Sequence, residues 1–133
     1  MKTIYLGGGI MNLTTNEANE WRIEATKKLI FNFNILNPMR RNFRDSEFQS
    51  QNEIVQLDKN DIVNSDILLV NGTKPSWGTA MEMLFAFERH KIIVVFTGDD
   101  FGKTSPWVAF HATRVTKTLE EAIEYIKIQM GDD

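Results

Sequence analysis

The chain contains no cysteine in its 133 residues. That excludes a disulfide framework, a thiolate metal site and a cysteine nucleophile. Histidine is nearly absent as well: His90 and His111 are the only two, too few for a histidine-rich metal site. No apolar run approaches the roughly 18 residues of a membrane span. Positive charge is not in excess. The formal net charge is −3, opposite in sign to the footprint of a general nucleic-acid binder. There is no internal repeat, low-complexity tract or linker. Met1-Lys2-Thr3-Ile4-Tyr5-Leu6 is too short, and too soon followed by glycine, for a signal peptide. What is present is ordinary: 42% hydrophobic and 25% charged residues, enough for one core without covalent staples. The expectation is a soluble, cytoplasmic protein with one domain over residues 1–133 and no membrane or nucleic-acid polymer as partner.

Four short apolar runs read as buried strands: Thr3–Leu6, Asn34–Leu36, Ile67–Val70 and Ile92–Phe96. The last two are rich in Ile, Leu and Val, as parallel strands covered on both faces are. A weaker strand is expected at Thr113–Val115. Helical patterns alternate with them. Asn16 is a candidate cap for a helix through Trp21, Ile23, Ala25 and Leu29–Ile30. Ser46 or Ser50 opens a second, carrying Ile54, Val55, Leu57 and Ile62. Gly78 or Thr79 opens a third, to about His90. Thr118 and Glu121 form a capping-box pattern before Leu119, Ala122, Ile123 and Ile126. Pro38, Pro75 and Pro106 are placed in loops. Strand and helix in alternation imply an α/β fold, an open parallel sheet of about five strands with helices on both faces. Ligands of such sheets sit at the carboxyl ends of the strands. The expected rim is therefore Gly7–Gly9, Asn37–Arg41, Asn71–Gly78 and Thr97–Lys103.

Several residues on that rim carry chemistry. Gly7, Gly8 and Gly9 follow the first strand and permit close backbone approach to a ligand; the alternative is a tight strand-to-helix turn. Glu82 is the only polar residue from Ala80 to Phe87. A helix apolar all round is a buried one, and a carboxylate there must be paired, hydrogen-bonded or turned to a cavity. It is expected near the first helical turn, where it either faces a cavity or satisfies loop amides. Asp58 is the candidate second carboxyl, against the alternative of a surface charge. Asp61 and Lys59 read as a solvated face, and Asp66 as a cap or turn. Arg40, Arg41 and Arg44 either meet a phosphate or form local ion pairs. Pro106–His111 reads as too irregular for a helix, and as a lid or subunit contact. His111 alone is more often structural than catalytic.

Taken in order, Tyr5-Leu6-Gly7-Gly8-Gly9, Asn37-Pro38, Asp58 with Asp66, Pro75-Ser76-Trp77-Gly78-Thr79-Ala80-Met81-Glu82, and Ser105-Pro106-Trp107 with His111 resemble the nucleoside 2-deoxyribosyltransferase family, in the form of its smaller and phage-borne members. The resemblance covers nearly the whole chain. It implies a flavodoxin-like sheet and an enzyme acting at the N-glycosidic bond of a 2′-deoxynucleoside, with a free nucleobase as second substrate and no cofactor or metal. Carried over by the resemblance, Glu82 matches the nucleophile, Tyr5 the tyrosine that positions it, and Asp58 the aspartate near the base. Gly7, Gly8, Gly9 and Gly78 match the parts that approach the sugar. Ser76, Arg40, Trp107 and His111 join the expected substrate-binding set. The resemblance further implies a homo-oligomer, dimer or hexamer, in which a neighbour completes the pocket.

One departure matters. Ser76 stands where many transferases have an aspartate that helps to bind the base. The related 2′-deoxynucleoside 5′-monophosphate N-hydrolases use a serine near there for phosphate, although Gly7–Asn12 lacks their serine- and arginine-rich loop. Hydrolysis of a monophosphate is thus the alternative within the same chemistry. A nucleotide-binding module without turnover, or a flavin carrier, is the alternative from a different class; neither needs Tyr5, Asp58 and Glu82 together.

Overall fold

The computed structural model describes residues 1–131; residues 132 and 133, the end of the expected domain, lie outside the described residues. Five strands form one sheet: β1 (Thr3–Gly8), β2 (Asn34–Leu36), β3 (Ile67–Asn71), β4 (Ile92–Phe96) and β5 (Arg114–Thr116). Their order is β2-β1-β3-β4-β5 and every pairing is parallel. Five helices connect and cover them: α1 (Thr15–Leu29), α2 (Gln51–Val63), α3 (Trp77–Glu88), α4 (Pro106–His111) and α5 (Leu119–Met130). No helix among the described residues is long and apolar enough to cross a membrane.

Strand alternation divides the core in two. Ile4, Leu6, Ile67, Leu69, Val94 and Phe96 face α1 and α5. Tyr5, Leu68, Val70, Ile93 and Val95 face the other way, onto Ile62 of α2 and onto Met83 and Ala86 of α3. One residue of β1 therefore belongs to one layer and its neighbour to the opposite one, and the site depends on this.

The strands lie close to where the apolar runs place them, with instructive shifts. β1 continues through Gly7 and Gly8, which pair with Val70 and Asn71 of β3; only Gly9 of the three glycines lies beyond the strand. The cap of α1 is Thr14, not Asn16, and forms a full capping box with Glu17. Ser50 precedes α2. The cap of α3 is Ser76, so Glu82 sits in the second turn rather than the first. Pro106–His111 is a short helix, α4, contrary to the expectation of irregular chain: Ser105 caps it and Pro106 occupies its first turn. The α3 helix is not buried all round either. Trp77 is 86% exposed and Met81 66%, so one apolar side of α3 has no cover within the chain.

Candidate active site

The carboxyl ends of β1, β2 and β3 open into a cleft of about 700 Å³, within the range of small-molecule sites. Glycines and the Ile10–Leu13 loop form one wall and α2 another. Asn71 through Glu82 close it. Asn12 of that loop has a left-handed φ of 69°, a conformation asparagine tolerates well. Arg44 ties the loop down, donating to the carbonyls of Ile10 and Leu13.

Three elements bring Tyr5, Glu82 and Asp58 together. Tyr5 reaches from β1 with its ring fully buried and donates its hydroxyl to Oε2 of Glu82 at 2.8 Å. Glu82 comes from α3, half-buried at the cleft wall. A Cβ placed on Gly7 would lie 3.6 Å from its Oε1, so the glycine leaves the carboxylate a bare backbone to lie against. Asp58 comes from α2 and lines the same cleft, near enough for its charge to act on the Glu82 carboxyl.

The electrostatics follow from burial. Desolvation, then the negative charge of Asp58, pushes the Glu82 carboxyl up to about 8, against the Tyr5 hydrogen bond and the charge of Arg22. Desolvation also raises Asp58, opposed by a hydrogen bond and charge from Arg41. Tyr5 is pushed far above its ordinary value by burial and by the two carboxylates, so it stays a donor. At neutral pH Glu82 thus keeps its proton, while Asp58 pairs with Arg41.

A second network fixes Asp58. Arg41 donates to Asp58 at 3.1 Å and to Asp61 at 2.9 Å. Arg40 holds both oxygens of Asp61, at 2.8 and 2.9 Å, and its other nitrogen donates to the Asn37 carbonyl at 2.8 Å. Asp61 is accordingly buried, not part of a solvated face as its spacing suggested. Asp66 accepts from the Thr3 amide at 2.9 Å and fastens the start of β1.

Of the other expected residues, Gly8, Gly9, Ser76 and Gly78 line the cleft. Ser76 Oγ accepts from the Thr79 amide at 3.3 Å as the cap of α3. Nothing lies within 4 Å of a Cβ on Gly78. Arg40, Trp107 and His111 are not brought to the cleft. Arg40 is committed to Asp61, and His111 packs between Phe87, Phe110 and Trp107 on the α3–α4 side. No group of three or more potential metal ligands occurs among the described residues.

No role for Arg22 was read from the sequence. It is fully buried beneath the cleft floor and donates to the carbonyls of Leu6, Gly8 and Ala18. The signal was available: Ala18, Arg22, Ala25 and Leu29 are the buried residues of α1, spaced as one helix stripe, with an arginine inside it.

A sequence family described as "Nucleoside 2-deoxyribosyltransferase like" matches residues 1–101. No curated protein matches the chain. Solved structures do. A conserved protein from Enterococcus faecalis V583 is 18% identical, with 98% of this chain and 99% of that one covered and a TM-score of 0.75. A 2-desoxiribosyltransferase from Leishmania mexicana is also 18% identical, with coverage of 98% and 99% and a TM-score of 0.68. The CMP N-glycosidase BcmB from Clostridium botulinum is 14% identical, with coverage of 97% and 100% and a TM-score of 0.66. At these identities the likeness to the solved structures is one of fold.

Proposed function

Because the chain belongs to the nucleoside 2-deoxyribosyltransferase-like family, we propose that it cleaves the N-glycosidic bond of a 2′-deoxynucleoside through Glu82 and passes the sugar to a second base. The observation that carries this reading is the convergence of Tyr5, Asp58 and Glu82 from three elements on one open cleft. A ligand-binding module has no use for a buried carboxyl pair holding a single proton.

The pair supplies what the reaction needs. Cleavage at C1′ passes through an oxocarbenium-like state that a carboxylate stabilises. The base nitrogen leaves best with a proton. As Glu82 gives up its proton to Asp58, an oxygen of Glu82 attacks C1′; the C1′–N bond breaks and the base departs with the proton from Asp58. This leaves a deoxyribosyl ester on Glu82 and an ionised Asp58. An incoming base then attacks C1′ from the other side, Asp58 takes its proton, and Glu82 is released as carboxylate. It is the double displacement of retaining glycosidases with nitrogen as leaving group. Water in place of the second base gives hydrolysis.

The charge around the cleft favours a nucleoside over its 5′-monophosphate. Arg41 is taken by two aspartates, Arg44 by two carbonyls, and Lys74 lies 3.7 Å from Glu17. Each of these three cations already has a partner, so a phosphate dianion would have to compete for it. The exposed apolar side of α3 and α4, with Trp107 at 75% and Phe110 at 72%, fits the homo-oligomer that the resemblance implies.

The test is chromatographic. Purified protein is incubated with each deoxynucleoside, with and without a second free base, and in parallel with each monophosphate. A new nucleoside that forms only with the second base is the expected result. Release of base from monophosphates alone would replace the reading with hydrolysis.

A further inference from the structure

Arg22 has no accessible surface and forms no ion pair with a carboxylate among the described residues. Its Nη2 donates to the Gly8 carbonyl at 2.9 Å and its Nε to the Leu6 carbonyl at 3.2 Å. Nη1 donates to the Ala18 carbonyl and lies 3.6 Å from Met39 Sδ. The guanidinium also lies over the Trp21 ring, 4.9 Å from its centroid. These contacts give each of its nitrogens a partner but do not balance its charge, and a buried unbalanced charge is costly.

The missing counter-charge lies across β1. Leu6 and Gly8 point to the α1 side, while Tyr5 and Gly7 point to the side of Glu82. A Cβ on Gly8 would come within 3.0 Å of Trp21 and 3.4 Å of Arg22 Nη2, so a glycine is what lets the guanidinium approach the strand end. Burial pulls Arg22 down to about 10, and the negative charge of the Glu82–Asp58 pair opposes this. The charged and titratable groups that act on Glu82 are Tyr5, by its hydrogen bond, and Asp58 and Arg22, by their charges; Asp58 is in turn paired with Arg41, which also holds Asp61.

Resting on the reading of Glu82 and Asp58 as the reacting pair, we infer that Arg22 is the positioning cation of this site: it locks the end of β1 through the Leu6 and Gly8 carbonyls and supplies the fixed positive charge behind the Glu82–Asp58 pair. It touches no substrate. An arginine suits the task because one planar fork spans both carbonyls and keeps its charge when desolvated.

The experiment follows the Glu82 side-chain carboxyl by carbon-13 NMR against pH in the wild type, Arg22→Gln and Arg22→Lys, alongside pH–rate profiles of product formation. In Arg22→Gln the Glu82 midpoint is expected to rise by about one pH unit, the size of effect a nearby desolvated charge has on a carboxyl. In Arg22→Lys the midpoint stays within a few tenths of wild type while kcat falls about tenfold, because the amine restores the charge but not the fork. An unmoved midpoint in folded Arg22→Gln would overturn the inference and leave Arg22 a packing residue. If Arg22→Gln does not fold, the wild type decides: the Arg22 Nε–H resonance must titrate with the Glu82 midpoint, and a flat resonance overturns the inference. Failure of the proposed function is a separate result, absence of any product from the wild type, and leaves the carboxyl titration readable.

Discussion

The Tyr5 hydroxyl donates to Oε2 of Glu82 at 2.8 Å, across 77 positions of sequence. The bond joins the central part of the sheet to α3. It fixes the rotamer of the carboxyl and favours its ionised form against the burial that opposes it. Removing it in Tyr5→Phe is expected to lower kcat roughly 10–100-fold, since a hydrogen bond to a charged group is worth about 1.5–3 kcal/mol. Single-turnover kinetics measure this, and an unchanged rate removes Tyr5 from the mechanism.

In the proposed mechanism the single proton of the Glu82–Asp58 pair gives activity two limits. Below the acid limb both carboxyls are protonated and Glu82 cannot attack; above about 8 the proton destined for the leaving base is gone. A bell-shaped kcat/KM with its alkaline limb near pH 8 is the expected profile. A plateau extending to pH 10 contradicts the shared proton.

The same shift links stability to pH. The Glu82 carboxyl titrates at about 8 in the folded chain against 4.5 ordinarily, so the folded state holds this proton more tightly. Its contribution is full below pH 4.5 and is lost as pH rises through 8. Glu82→Gln, which cannot ionise, is therefore expected to gain in Tm over wild type as pH is raised from 5 to 9, by at least about 3 °C, roughly what 1 kcal/mol gives in a domain of this size. Equal pH dependence of the two melting temperatures would speak against a desolvated Glu82.

Arg41 holds Asp58 in place and offsets its desolvation. Without that charge Asp58 takes up its proton at higher pH, so the acid limb moves upward. Arg41→Met is expected to lose about tenfold in kcat/KM at pH 6 and much less at pH 8, given that a tenfold loss is one pH unit of displacement. A uniform loss at both pH values assigns Arg41 to packing instead.

Much of this was legible in the sequence, for physical reasons that also mark where reading stopped. β1, β3 and β4 declared themselves because each is covered on both faces and so runs apolar, whereas the edge strands β2 and β5 are short and partly exposed. Glu82 stood out because a lone carboxylate in an apolar stretch needs a reason. The true cap of α1 was legible too, since Thr14 and Glu17 have capping-box spacing, but Asn16 is an equally good cap by residue type. α4 has only six residues, too few for a periodic pattern, and only its Ser105-Pro106 start marks it. The Arg40–Asp61–Arg41–Asp58 network joins residues about 20 positions apart on a loop and a helix. Composition cannot distinguish such pairs from solvated charges. The bare apolar side of α3 deceived because sequence reports how apolar a surface is, not what covers it.

Ser76 tests the boundary between the two substrate readings. As the cap of α3 it is expected to contribute about 1 kcal/mol to stability, lost in Ser76→Ala and measured by urea denaturation. Deoxynucleoside turnover per folded molecule is expected to change less than threefold. A selective loss of activity on monophosphates would instead make Ser76 a phosphate ligand.

The reading stands or falls on a bond between Glu82 and the sugar. Wild type and Glu82→Gln are mixed with a deoxynucleoside in the absence of a second base, quenched in acid, digested and analysed by mass spectrometry. One deoxyribosyl group on the peptide that contains Glu82, in wild type alone, is the expected result, with turnover abolished in Glu82→Gln. Base release at ordinary rates by Glu82→Gln, or a sugar attached to any other residue, would contradict it.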